Sequence, residues 1–183
     1  MKVSFELSPK DIRFFRERLK QVRTGAHSHD EAAVILGAAD MVQDAISTDP
    51  PDFVIERIHK LEGLIEMLND EEWRLEGADR ARILDALAYF VDPDDLIHDR
   101  IPGIGFIDDA IMVELMAQDL KHEIEAYADF CEFRKKAPKS DGVDRLENRR
   151  VALQARMRRR RRRERSDRHS RASSSRSSRV RLW

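Results

Sequence analysis

Aspartates crowd one short stretch of this sequence. The segment Tyr89–Ile111, YFVDPDDLIHDRIPGIGFIDDAI, holds six aspartates, one histidine, two prolines and two glycines. Several carboxylates with a single imidazole suit Mg²⁺ or Mn²⁺ better than zinc. The candidate metal ligands are Asp92, Asp95, His98, Asp99, Asp108 and Asp109. A metal-dependent enzyme acting at this corner is therefore one functional hypothesis.

The same aspartates also suit a purely structural corner between two helices. Asp92 precedes Pro93, which fits a first helical position because that position needs no N–H partner. Asp108 and Asp109 would cap the following helix and place negative charge at the positive end of its dipole. This structural explanation accounts for nearly every polar residue of the stretch, so we expect no metal and no other cofactor there.

Other residue combinations that could carry chemistry are incomplete. Glu56-x-x-His59 and Asp119-x-x-His122 have the spacing of di-iron bundle ligands. The first pair, however, lies on an acidic, solvated face, and the second lacks symmetric partners. Cys131 is the only cysteine and lies on an apolar stripe, where a thiol acts as a small hydrophobe. No nucleophile elbow, P-loop or dinucleotide-binding motif occurs, so the sequence favours a non-enzymatic protein.

Apolar residues at helical spacing predict the elements that would position these groups. We expect an all-α, compact single-domain array of about five helices, followed by a basic, partly disordered tail. The predicted helix starts are Ser8, Ser28, the Asp49-Pro50-Pro51 break, Asp79 and Asp108. The fifth helix is predicted to run unbroken to about Arg134. The second is expected to bury Ala32, Ile35, Ala39, Val42 and Ile46.

The net charge of −1 conceals a division of charge along the chain. Residues 149–183 carry +13, whereas residues 1–148 carry −14. The predicted organisation is an acidic helical domain (1–137), a linker (138–142), a basic helix (143–165) and a disordered Arg/Ser-rich tail (166–183). Val143, Leu146, Leu153 and Met157 give the basic helix a weak apolar seam that could lean on a partner. Such charge asymmetry is typical of an interaction tail.

Arginine in the basic helix predicts contact with a polyanion. The candidate polyanion-binding residues are Arg156, Arg158, Arg159, Arg160, Arg161, Arg162, Arg163 and Arg165. A guanidinium donates two parallel hydrogen bonds to phosphate and stays charged at any relevant pH. Residues 149–182 contain no aromatic side chain for base stacking, so nonspecific, electrostatic binding is expected. The acidic domain would compete for these arginines and mask them.

The aspartate-rich stretch also resembles the signature of the YkvA-like family, the bacterial domain of unknown function numbered 1232. That signature reads P-x-D-L-I-P-D-x-I-P-G-x-G-x-x-D-D. The matching residues are Pro93, Asp95, Leu96, Ile97, Asp99, Ile101, Pro102, Gly103, Gly105, Asp108 and Asp109. His98 stands where the family usually has proline. The resemblance covers roughly residues 80–120 and implies a compact helical fold with no established activity.

Our leading hypothesis is a non-enzymatic helical adaptor or regulatory module whose basic tail contacts a polyanion. The alternatives are the metal-dependent enzyme, a peripheral protein of anionic membranes, and an Arg/Ser tract without a role. No apolar run approaches the roughly 18 residues of a membrane span, and no secretory signal is recognisable, so we expect a cytoplasmic protein. Many relatives are described as membrane-associated, and peripheral membrane association stays an alternative. Oligomeric state and pathway stay open.

Overall fold

Helices form the whole secondary structure of the part of the chain that this computed structural model describes, residues 8–25, 30–91, 106–136 and 143–177. They are α1 (Pro9–Gly25), α2 (Glu31–Ser47), α3 (Asp52–Asn69), α4 (Gly77–Leu87), α5 (Ile107–Asp119), α6 (Lys121–Lys136) and α7 (Val143–Ser177). A 3-10 helix, Ala88–Val91, follows α4. The all-α prediction is confirmed for these residues.

The chain divides into two compact units, residues 1–120 and 121–183. The first unit contains α1 to α5, and the second contains α6 and α7. The predicted acidic domain included α6, because the sequence pattern predicted one unbroken fifth helix. The structure instead groups α6 with the basic helix.

Local capping sets the start of the first two helices. At α1, the Ser8 backbone N–H donates to Asp11 Oδ2 at 2.8 Å, and the Asp11 N–H donates to Ser8 Oγ at 3.3 Å. This reciprocal capping box confirms the predicted start. Hydrogen bonding with the Ser8 hydroxyl first, and with its backbone N–H second, lowers the pKa of Asp11. At α2, Asp30 is the cap and accepts from the Ala32 N–H, whereas Ser28 lies outside the described residues.

The core of the first unit is built around α3, which packs against α2, α4 and α5. Its largest enclosed side chains are Ile58, Leu61, Leu64, Met67, Trp73, Ile83, Leu87, Met112, Met116 and Leu120. Asp70 Oδ1 accepts the Glu72 and Trp73 backbone N–H groups, both at 2.9 Å, and the resulting turn directs the chain after α3 into the core. Trp73 is therefore a packing residue.

The buried face of α2 differs from the predicted stripe. Val34, Ala38, Val42 and Ala45 are buried, whereas Ile46 is 42% exposed. The segment AAVILGAA is apolar nearly all round, so its periodicity did not determine which side faces the core. The small residues allow close approach. A Cβ at Gly37 would lie 3.0 Å from both Cγ atoms of Val91 in the 3-10 helix.

The prediction of about five helices was wrong for the described residues, because the expected fifth helix is two helices, which with the separately predicted basic helix makes seven. The break lies at Leu120, whose N–H donates to the Met116 carbonyl at 2.8 Å. Nη2 of Arg82 donates to the Asp119 carbonyl oxygen at 2.6 Å. A carbonyl at a helix C-terminus lacks an intrahelical donor, and a basic side chain can satisfy it. Arg82 thereby stabilises the end of α5.

The basic helix also continues past its predicted end at Arg165 to Ser177. Arg168 pairs with Glu164 one turn earlier at 2.8 Å, and the Ser170 hydroxyl donates to the Asp167 carbonyl at 3.0 Å. The Arg168–Glu164 pair, four residues apart, supports the helix through this polar sequence. Among the described helices, none combines the length and apolar character that a membrane span requires.

Candidate functional site

Helices α6 and α7 form an antiparallel hairpin. Their ion pairs show the direction: Asp129 in the second half of α6 pairs with Arg156, whereas Lys121 at the start of α6 pairs with Glu164, further along α7. On α7, Leu153 and Met157 are buried, as is Gln154. On α6, Ala126 and Phe130 are buried. The predicted apolar seam of the basic helix therefore has a partner within the chain.

Ion pairs run along both sides of this seam. Arg156 pairs with Asp129 and Arg160 pairs with Glu125, all four with side chains more than 40% exposed. Arg161 Nη1 donates to Glu123 Oε1 at 2.6 Å, and here the carboxylate is fully buried. We call the pairs 123–161, 125–160 and 129–156 the ladder. Three of the eight predicted polyanion-binding arginines are thus held by acidic residues of α6.

Glu164 is the one acidic residue between Arg156 and Arg165, and it connects α7 to the start of α6. It accepts from Lys121 Nζ at 3.0 Å and lies 2.8 Å from His122 Nε2. Hydrogen bonds first from Lys121 and then from Arg168 lower its pKa to about 2. Glu164 is therefore ionised at neutral pH and its charge is used within the hairpin.

Aromatic contacts extend the hairpin toward its connecting segment. The guanidinium carbons of Arg145 and Arg149 lie 5.5 Å and 5.3 Å from the ring centroid of Phe133. Arg134 lies 5.4 Å from the ring centroid of Phe130. These distances are within the range of cation–π attraction. Arginines at the start of α7 consequently help hold the two helices together.

The remaining arginines of the predicted set are exposed on α7. They are Arg158, Arg159, Arg162, Arg163 and Arg165, and we call them the outer arginines. Sequence reasoning missed the division between the ladder and the outer face. A signal for it was present, because Glu125 and Asp129 repeat at the same four-residue spacing as Arg156 and Arg160.

The aspartate-rich corner is described only at its margins. Asp108 and Asp109 are buried in the first turn of α5, where their negative charge interacts favourably with the positive end of the helix dipole. The N-cap, however, is Phe106, which makes no side-chain capping hydrogen bond, so neither aspartate is the N-cap residue, while both carry negative charge in the first turn as predicted. Phe106 is itself buried, as expected of a packing residue.

Comparison with known families identifies this region. Residues 79–115 match the model of a family described as "Protein of unknown function (DUF1232)". This segment is similar to the DUF1232 family over these residues. The predicted resemblance is thereby confirmed. No curated protein and no solved structure matches the chain significantly.

The DUF1232 segment comprises most of α4, the 3-10 helix and the larger part of α5. Arg80, at its start, pairs with Glu31 of α2 and donates from Nη1 to the Leu68 carbonyl of α3 at 2.6 Å. Arg80 therefore ties α4 to two neighbouring helices. Of the six candidate metal ligands, Asp92, Asp95, His98 and Asp99 lie outside the described residues.

No group of three or more His, Cys, Asp or Glu side chains is placed to hold a metal ion in the part of the chain that the structure describes. His59 Nδ1 lies 2.7 Å from Glu62 Oε2 with its side chain 60% exposed, while Glu56 pairs with Arg57. Asp119 and His122 fall in different units. Cys131 is half-buried, and its Sγ accepts from Arg134 at 3.7 Å.

Proposed function

We propose that the protein is a non-enzymatic adaptor or regulatory module whose basic helix binds nucleic acid through the outer arginines. The observation that carries this proposal is the sorting of arginines on α7. Arg156, Arg160 and Arg161 pair with carboxylates of α6, and the five outer arginines are exposed on the same helix. The single acidic residue in the stretch, Glu164, is engaged by Lys121 and His122.

The spacing of the outer arginines supports binding to a regular row of phosphates. Arg158, Arg162 and Arg165 follow one another at intervals of four and three residues, so they share one face of the helix. A four-residue step advances about 6 Å along a helix axis. Arg159 and Arg163 widen this strip on one side. Packing of α7 on α6 supports the strip by fixing the helix that carries it.

The chemistry of the strip favours binding without sequence preference. Arginine forks match phosphate oxygens, and nearby aromatic rings that could stack on bases are missing from residues 149–182. If all five outer arginines contact duplex phosphates, the logarithm of the affinity should fall with the logarithm of salt at a slope of about −4.5.

The test compares full-length variants by the anisotropy of a labelled DNA duplex at several salt concentrations. R158Q/R162Q/R165Q leaves two outer arginines and should reduce the slope to about −2. The matched control is K10Q/R74Q/K135Q, which removes three exposed positive charges elsewhere. Equal loss in the two variants would reduce the proposal to a net-charge effect, and salt-independent binding would refute it.

Anionic lipid is the competing polyanion, since a Lys/Arg near such a surface contributes about 1 kcal/mol. Vesicles with and without phosphatidylserine separate the two partners in the same salt series. Binding to phosphatidylserine vesicles, with none to DNA or RNA, would replace the nucleic-acid proposal by peripheral membrane attachment.

A further inference from the structure

A cavity of about 300 Å³ opens between α1, α3 and α5 in the first unit. Its apolar lining consists of Ile12, Phe53, Ala110, Ile111 and Leu115. Small-molecule sites have volumes from about 300 Å³ upward, with mainly apolar walls and a few polar groups that orient the ligand. The cavity lies at the lower end of that range, so it suits one small amphipathic molecule.

The polar lining of the cavity consists of Arg16, Arg57, Glu114 and Gln118. Glu114 already has partners, because Oε2 lies 2.6 Å from Lys60 Nζ and 3.5 Å from Arg57 Nε. A hydrogen bond from Lys60 is the main cause that lowers the pKa of Glu114, so this carboxylate stays charged and compensated. Arg57 is also held by the Phe53 carbonyl, to which its Nη1 donates at 3.1 Å.

Arg16 differs from these groups. It is an exposed residue of α1 that lines the cavity, and it pairs with no carboxylate of the described side chains. The two positive charges of Lys60 and Arg57 are balanced by two carboxylates, because both residues pair with Glu114 and Arg57 also pairs with Glu56. Among the described side chains, Arg16 therefore has no counterion, and it places one positive charge beside an apolar cavity. This arrangement complements a ligand with one anionic end and an apolar body.

We propose that this cavity binds a medium-chain aliphatic monocarboxylate. Its alkyl chain contacts the apolar lining, and its carboxylate pairs with the guanidinium of Arg16. A planar carboxylate accepts two parallel hydrogen bonds from a guanidinium, so the site should prefer a carboxylate over an uncharged polar group. The alkyl chain supplies affinity because its burial removes apolar surface from water. The first unit would then be a ligand-binding body, independent of what α7 binds.

The experiment is isothermal titration calorimetry of the full chain with decanoate below its micelle concentration. Decanol lacks the charge and acetate lacks the chain, so both should bind much more weakly. R16Q should weaken decanoate binding by about tenfold, consistent with loss of one charge-assisted pair. R13Q on the same helix is the matched control and should not change the affinity. I111W places a larger side chain at the lining and should abolish binding, provided that its melting curve shows a folded protein.

Each result separates the cavity from other anion sites. R158Q/R162Q/R165Q should bind decanoate like the unaltered chain, so this proposal and the nucleic-acid proposal fail separately. Unchanged affinity in R16Q, or decanoate binding that survives in folded I111W, would overturn the cavity proposal. Absence of decanoate binding to the unaltered chain would overturn it as well.

Discussion

Glu123 is fully buried, and its Oε1 accepts a hydrogen bond from Arg161 Nη1 at 2.6 Å. The Arg161 side chain is itself only 19% exposed, which makes this pair the least solvated rung of the ladder between α6 and α7. A buried charge is tolerable only with a partner, because desolvation costs several kcal/mol per ion. The pair therefore fixes the register of the hairpin, and so the direction in which the outer arginines point.

The first prediction concerns the stability of this pair. E123Q should lower the free energy of unfolding by about 2 kcal/mol or more, because Arg161 is left in a poorly solvated site. E125Q, next to it on α6, removes the carboxylate of an exposed pair and should cost less than about 1 kcal/mol. Urea unfolding followed by circular dichroism measures both. Similar losses in the two variants would contradict a special role for Glu123.

The second prediction concerns pH and Glu164. Its pKa in the folded chain is about 2, below the ordinary value of 4.5. A carboxyl with a lowered folded pKa stabilises the fold fully above its unfolded pKa, and this contribution is lost as pH falls through the folded value. The stability difference between the unaltered chain and E164Q should therefore shrink as pH falls from about 4.5 to about 2.

Melting curves of both proteins across this pH range provide the measurement. E147Q, which removes an exposed carboxylate from the same helix, controls for the general effect of losing one acidic group. A difference between the unaltered chain and E164Q that stays constant down to pH 2 would show that Lys121 and Arg168 do not stabilise the charge of Glu164.

Local patterns in the sequence predicted the helix starts better than the contacts that helices make with distant parts of the chain. The Ser8–Asp11 box is complete within four residues, so the start of α1 could be predicted. The end of α5 depends on Arg82, which reaches Asp119 from far along the chain. No local pattern contains that contact, and a continuous fifth helix was the natural expectation.

The candidate site followed the same rule. Composition predicted a basic helix that binds polyanions, but not which arginines face α6. That division depends on the pairing of Glu123, Glu125 and Asp129 with residues about thirty positions further along the chain. The cavity beside Arg16 was likewise not predictable, because its lining comes from three helices that are distant in sequence.

The third prediction concerns the contact between α2 and the 3-10 helix. Alanine normally stabilises a helix relative to glycine by up to about 1 kcal/mol. G37A should nevertheless destabilise the chain, because the new Cβ would lie 3.0 Å from both methyl carbons of Val91. In the V91A background the same change should stabilise it. A double-mutant cycle measured by thermal unfolding gives the coupling, and G37A that is stabilising in both backgrounds would contradict it.

The fourth prediction decides between scaffold and metal site at the corner. D108A removes a buried carboxylate from the first turn of α5 and should cost about 0.5–2 kcal/mol. The loss should be equal in chelator and in Mg²⁺ or Mn²⁺ if the role is structural. D52A, at an exposed first-turn position of α3, is the control and should cost less. Destabilisation by D108A that occurs only with Mg²⁺ or Mn²⁺ would favour the metal-dependent enzyme.

The fifth prediction concerns masking of the basic helix by α6. E125Q/D129N removes the partners of Arg160 and Arg156, whose side chains are already partly exposed. Both arginines then become available to phosphate, so duplex DNA should bind more tightly and the salt slope should steepen from about −4.5 to about −6. The matched control D40N/E66Q removes two exposed carboxylates of the first unit and equally changes net charge. Anisotropy titrations of both variants at several salt concentrations provide the measurement.

Local masking requires that only the α6 variant gain phosphate contacts. An equal change in slope for the control would assign the competition to the overall negative charge of residues 1–148, and no change in either would remove masking altogether.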